Sequence, residues 1–99
     1  MAESRHDKVA RQIAKRQKAT YNRGQGPDVK NFQRVIEVER GNTVADAARQ
    51  LAGYKKPVYV AGTDAQTTKK ALHYYKNTTI GVMNSRGQIL KRSTRGPKK

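Results

Sequence analysis

The sequence predicts an α/β domain, a mixed β-sheet flanked by helices in the order α-β-β-α-β-α-β-β. Three observations predict it. Apolar residues recur at helical spacing in three separate stretches, around Val9, Ala47 and Leu72. Short runs rich in β-branched residues stand between and after them, bounded by Gly, Pro and Asn. One of these runs, 58–61, has a helical stretch on either side, and such crossovers call for parallel neighbours in the sheet.

Residues 4–19 form the first predicted helix. Val9, Ala10, Ile13 and Ala14 make its apolar stripe, and Lys8, Arg11, Lys15 and Lys18 fall on another face. That basic face is either solvated or in contact with phosphate. Residues 20–27, TYNRGQGP, read as a loop, with two Gly, one Pro and an Asn. Asp28 and Val29 form one arm of an antiparallel hairpin, 31–33 its polar turn, and 34–39 the other arm. Thr43 with Asp46 resembles a capping box opening a helix over 43–52. Val44, Ala47, Ala48 and Leu51 are its buried stripe, and Gly53 suits the position after its C-cap. Lys55, Lys56 and Pro57 lead into the strand 58–61. Thr63 with Gln66 opens a third helix over 64–76, which buries Ala71, Leu72 and Tyr75. A strand over 78–83, a turn at 84–87 and a returning strand over 88–90 complete a domain spanning 1–90. Residues 91–99, KRSTRGPKK, have no apolar residue and are expected to be a disordered basic tail.

Composition narrows the function. The 99 residues carry 22 Lys and Arg against 7 Asp and Glu, a formal charge of +15. Such a chain favours a polyanionic partner, nucleic acid first, because each phosphate met by Lys or Arg releases a counterion. A solubilising surface and an acidic membrane are the other readings of that charge. There is no Cys, which removes disulfide and Cys-zinc frameworks. No stretch approaches the roughly 18 apolar residues of a membrane span. The basic, run-free first 20 residues do not read as a secretory signal. The expected location is the cytoplasm. His6 and His73 share no metal-ligand spacing and read as surface residues. No Ser or Thr has a His and an acid at a recognisable spacing for a nucleophilic triad. The single GQG is too short for a phosphate loop.

The acids are informative because they are scarce. Five of the seven, Glu3, Asp7, Asp28, Glu37 and Glu39, fall in the first 40 residues. Glu37 and Glu39 are two apart in a predicted strand, so they share a face and lie roughly 6.5–7 Å apart. Ile36 and Val38 take the opposite face. Buried carboxylates cost several kcal/mol unless paired or metal-bound. The hairpin brings Asp28 beside the pair, and three converging carboxylates raise one another's pKa. A divalent cation relieves that repulsion, and an oxygen-only donor set suits Mg²⁺. The alternative is an exposed sheet edge where Glu37 and Glu39 pair with neighbouring Lys or Arg.

Gly26-Pro27-Asp28 and Ile36-Glu37-Val38-Glu39, with eight residues between Asp28 and Glu37, resemble the PD-(D/E)xK nuclease motif. The order of elements over 4–76 is similar to the core of that superfamily, and the short chain to its Holliday junction resolvases and small viral-type nucleases. The resemblance implies a restriction-endonuclease-like fold and a Mg²⁺- or Mn²⁺-dependent DNA endonuclease. It implies Asp28, Glu37, Glu39 and the Val38 carbonyl as metal ligands, and Asp28, Glu37, Glu39 and Gln50 as the catalytic set. Asp7 or Glu3 could supply a further acid from the first helix, although for each an acid that only stabilises the helix N-terminus is the favoured reading. The third motif position, usually Lys, is Glu39, which leaves Lys30, Lys55 or Lys56 to activate water. Lys8, Arg11, Lys15, Arg23, Lys30, Arg40, Lys55 and Lys56 are the expected nucleic-acid contacts, with Arg23, Arg40, Lys55 and Lys56 bordering the site.

The expectation is therefore an endonuclease that recognises branched DNA by backbone and shape, acting as a homodimer without a small-molecule cofactor. The rival is a non-catalytic basic nucleic-acid-binding protein on a degenerate nuclease fold, for which Glu39 in the Lys position is the supporting feature.

Overall fold

Helix α1 (Arg5–Gln17) begins where Ser4 accepts the Asp7 backbone N–H at 3.1 Å. It ends where Lys18 turns left-handed at φ 54°, and the Lys18 N–H caps the last turn. The structure, a computed structural model, describes residues 4–21, 28–31, 33–41 and 43–95.

The chain next forms two antiparallel pairings. β1 (Thr20–Tyr21) pairs with β2 (Val29–Lys30), and β2 with β3 (Val35–Glu39). β1 is a correction, because residues 20–27 were expected to be loop. Thr20 and Tyr21 suit a strand once β2 offers them an edge, although two residues carry no periodic signal of their own. Between β2 and β3, Asn31 Oδ1 accepts the backbone N–H groups of Gln33 and Arg34, both at 2.8 Å.

A 3-10 turn at Val44–Asp46 runs into the short helix α2 (Ala47–Leu51). Thr43 makes no side-chain cap to this turn; its hydroxyl instead donates to the Arg40 carbonyl at 3.2 Å. Gly53 follows α2 at φ +89°, a conformation that favours glycine. β4 (Val58–Gly62) runs parallel to β3. Helix α3 (Ala65–Tyr74) is capped by Asp64, which accepts the Thr67 N–H at 2.7 Å, so Asp64 takes the role expected of Thr63. β5 (Gly81–Met83) is parallel to β4, and β6 (Ile89–Lys91) returns antiparallel after the expected turn.

The six strands lie in chain order across one mixed sheet. Alternation along β3 divides the core. Ile36 and Val38 join Val9, Ala10 and Ile13 of α1 in one cluster, with Val29, Tyr59 and Met83. Val35 faces the other way, with Val44, Ala47, Leu51, Ala71 and Tyr75 from the α2 and α3 side. Ala48, expected in that second cluster, is exposed. The buried Tyr75 hydroxyl donates to the Val44 carbonyl at 2.5 Å and accepts the Ala48 N–H at 3.2 Å. It thereby anchors the 3-10 turn, and burial pushes its pKa up to about 12.

The basic stretch after residue 90 is bonded to the body as far as Arg95. Ser93 Oγ accepts the Val58 N–H at 3.1 Å, and Arg95 Nη1 donates to the Leu51 carbonyl at 2.7 Å. Disorder was expected there because no residue is apolar, but these contacts are polar and reach carbonyls and N–H groups that the sheet and helix leave over.

Candidate active site

The buried polar side chains gather at one end of the sheet. Among the described residues they are Asp28, Glu37, Glu39, Thr63, Thr67 and Thr68. They come from the start of β2, the carboxyl ends of β3 and β4, and the first turn of α3. Ligand sites in open α/β sheets form beyond the carboxyl ends of parallel strands.

Strand alternation places Glu37 and Glu39 on one face of β3, as expected, and both are buried, at 6% and 7% exposure. Val29 pairs with Ile36, so continuing the register by one residue sets Asp28 opposite Glu37. The Glu37 carboxyl faces Asp28, and its Oε2 is buried with no hydrogen-bond partner. Burial raises the Glu37 pKa well above the carboxylate range, and the neighbouring Asp28 carboxyl and then Glu39 add to the rise. Glu39 is also raised, first by burial, with the nearby Thr43 hydroxyl working against it.

Asp28 Oδ2 accepts the Val38 backbone N–H at 2.9 Å. The Val38 N–H therefore points to the β2 side. In an extended strand the carbonyl of the same residue points the same way, past the start of β2. Beside β3, Gly62 lets the end of β4 approach α3: a Cβ there would meet the Thr68 nitrogen at 2.5 Å. The Thr63 N–H donates to the Glu39 carbonyl at 3.1 Å, tying the two strand ends together.

The first turn of α1 closes the site. His6 Nε2 lies 3.2 Å from Asp28 Oδ2, and its Nδ1 lies 3.3 Å from Asp7 Oδ1. The Tyr21 hydroxyl donates to the same Asp7 oxygen. Arg5 Nε donates to the Thr63 carbonyl at 3.0 Å. His6 was expected at the surface, but it is half-buried and bridges two acids. Asp7 meets it at Nδ1, and meets the Tyr21 hydroxyl with the same oxygen. The one signal for His6 was its place beside Asp7 at the start of the first helix.

Other expected residues lie elsewhere. Lys55 and Lys56 do not border the cluster. β3 and β4 are parallel, so residues before β4 lie at the opposite end of the sheet, about 13 Å along the strands at 3.3 Å per residue. Lys56 Nζ donates there to the Asn31 carbonyl at 3.2 Å. Lys30 is exposed and paired with Val35 at that same end, away from the motif's third position. Gln50 is exposed on α2, outside the buried group. Arg40 is exposed and directly follows Glu39, at the rim. Lys8, Arg11 and Lys15 are exposed on α1 and line a groove of about 530 Å³ with Tyr21. Arg23, Glu3, Gly26 and Pro27 lie outside the described residues.

The donor set that could meet a cation is Asp28 and Glu37, with the Val38 carbonyl and Glu39 beside them. It is all oxygen, and it contains an orphaned buried carboxylate atom, Glu37 Oε2. Among the described residues no three His, Cys, Asp or Glu side chains converge closely enough to hold a metal ion as they stand. No described helix is long and apolar enough to cross a membrane. No family model matches the chain, and neither a curated protein nor a solved structure matches it.

Proposed function

We propose that this chain is a divalent-metal-dependent DNA endonuclease of the PD-(D/E)xK type, hydrolysing phosphodiester bonds in branched DNA. The observation that carries this reading is the Asp28–Glu37 pair. Two of only seven acids in a +15 chain are buried face to face at the open end of a sheet, one with an unpartnered oxygen. Such a pair is costly as a purely structural device. A basic groove along α1 and Arg40 at the rim supply phosphate contacts nearby. The sequence of helix, hairpin, crossover helix, strand and helix supports a restriction-endonuclease-like layout.

In this reading Asp28 and Glu37 hold Mg²⁺ or Mn²⁺, with the Val38 carbonyl and Glu39 as further oxygen donors. The ion, when bound, supplies an acidified water and neutralises charge developing on the phosphate. Glu37 gives up its proton as the ion binds. Glu39 stands two residues on along the same face, placed to orient the attacking water. Lys8, Arg11, Lys15 and Arg40 fix the DNA by its backbone, which carries no sequence information and suits recognition by shape. A homodimer would present two such sites to the paired strands of a junction.

Cleavage of labelled duplex, single strand, flap and four-way junction, with and without Mg²⁺ or Mn²⁺, tests the reading beside Asp28→Ala and Glu37→Ala. Metal-dependent cleavage of the junction, lost in both variants with binding retained, is the expected result. Retained cleavage in both variants would sink the reading. Glu39 in the usual Lys position favours a second reading, a non-catalytic nucleic-acid-binding protein, which predicts salt-sensitive binding that no divalent ion converts into cleavage.

A further inference from the structure

We propose that His6 is a positioning residue that fixes the Asp28 carboxylate for cation binding, and that Asp7 and Tyr21 in turn hold His6. The inference rests on the nuclease reading and adds a part to its site. Asp28 Oδ2 is approached from two directions, by the Val38 N–H at 2.9 Å and by His6 Nε2 at 3.2 Å. The Val38 N–H and the His6 ring nitrogen both meet Oδ2, which fixes the plane of the carboxylate and leaves Oδ1 as the oxygen they do not occupy. The Val38 N–H is rigid, because it belongs to the central part of the sheet. The imidazole is not rigid by itself, and its other nitrogen faces Asp7 Oδ1 at 3.3 Å. Tyr21 donates to that Asp7 oxygen, so the chain of contacts runs from β1 through the first turn of α1 to the start of β2.

This arrangement explains why His6 and Asp7 are neighbours at a helix start. The Ser4 cap fixes the first turn, and consecutive residues there reach in adjacent directions. Partners that orient a ligating carboxylate are worth 10- to 100-fold in metal affinity. In a site whose third motif position is Glu39, Lys30, Lys55 and Lys56 cannot orient Asp28, because all three lie toward the other end of the strands.

The test is Mn²⁺ affinity by titration calorimetry, with kcat and KM on a four-way junction, for the wild type, Asp28→Ala, His6→Ala, His6→Gln and His6→Asn. A Gln amide nitrogen reaches the place of Nε2, whereas an Asn amide stops at the place of Nδ1. The expected result is a loss of Mn²⁺ affinity of about tenfold or more in His6→Ala and His6→Asn. His6→Gln should recover most of it, with kcat falling in parallel and KM for DNA unchanged. If His6→Ala does not fold, the Gln and Asn pair decides the matter: equal affinities in the two would overturn the proposal. Wild-type affinity and kcat in His6→Ala, with both lost in Asp28→Ala, would overturn the assignment of His6 and leave the nuclease reading intact. A wild type that binds no Mn²⁺, or an Asp28→Ala variant that binds it as tightly, would overturn both.

Discussion

Asp28 and Glu37 face each other across two antiparallel strands, and the Asp28 carboxyl helps hold the Glu37 pKa up. The Glu37 pKa is raised, first by burial and then by Asp28, so the folded protein keeps a proton that the unfolded chain has lost. Stability then falls as pH rises from the ordinary carboxylate range, because the native state binds more protons than the unfolded one. Glu39 acts in the same direction. Glu37→Gln removes the larger part of this effect. In metal-free urea melts, the variant should gain on the wild type steadily from about pH 5 to about pH 8. A gap that does not change with pH would contradict the proton retained on Glu37.

A divalent cation should reverse that penalty. A ligand at 100 times its dissociation constant stabilises the native state by about 2.7 kcal/mol. For a chain of this size that is a rise in melting temperature of more than about 10 °C. Mn²⁺ or Mg²⁺ at about pH 8 should raise the melting temperature of the wild type and leave Asp28→Ala nearly unmoved. Thermal melts with and without the ion, against a chelator control, check this.

Lys8 and Lys15 stand seven residues apart on one face of α1, about 10.5 Å along the helix axis. That distance matches about three base steps of duplex DNA. Replacing both with Ala should weaken DNA binding on every sequence and lower the slope of log K against log salt by about 1.8, or 0.9 for each phosphate that is no longer neutralised. Fluorescence anisotropy across a salt series measures it. An unchanged slope would remove the α1 groove from the interface.

Two substitutions probe the packing around the site. Tyr75→Phe leaves the Val44 carbonyl without its donor, and a buried group left unpaired costs about 1–3 kcal/mol. Gly62→Ala drives a methyl to 2.5 Å from the Thr68 backbone, and overpacking of this kind costs about 1–3 kcal/mol. Both should lower the urea midpoint with little change in slope.

The sequence shows its sheet most plainly where alternation is strict. In Val35 to Glu39 every second residue is apolar on the α1 side, and the two acids share the other face; the structure keeps that division. Helix positions followed from apolar spacing in the same way. What escaped were relations between distant pieces. Lys55 and Lys56 are close in sequence to β4, yet parallel pairing carries them to the end away from Glu39. β1 exists only because β2 offers an edge. His6 carries no periodic signal, and only the packing of α1 across the sheet brings it to Asp28. Asp64 outcompeted Thr63 as the cap because its carboxylate reaches the Thr67 N–H.

The strands lie across the sheet in the order in which they occur in the chain, and this has a consequence for biosynthesis. Each strand that leaves the ribosome can dock on the edge left by the one before it, with no earlier pairing broken to admit it. The acid cluster draws on residues up to Thr68 and can assemble before β5 and β6 have been made. Until β5 arrives, however, β4 presents an open edge to other chains. Arg95 then reaches back to Leu51, so this bond acts as a latch that closes only after the whole sheet has emerged.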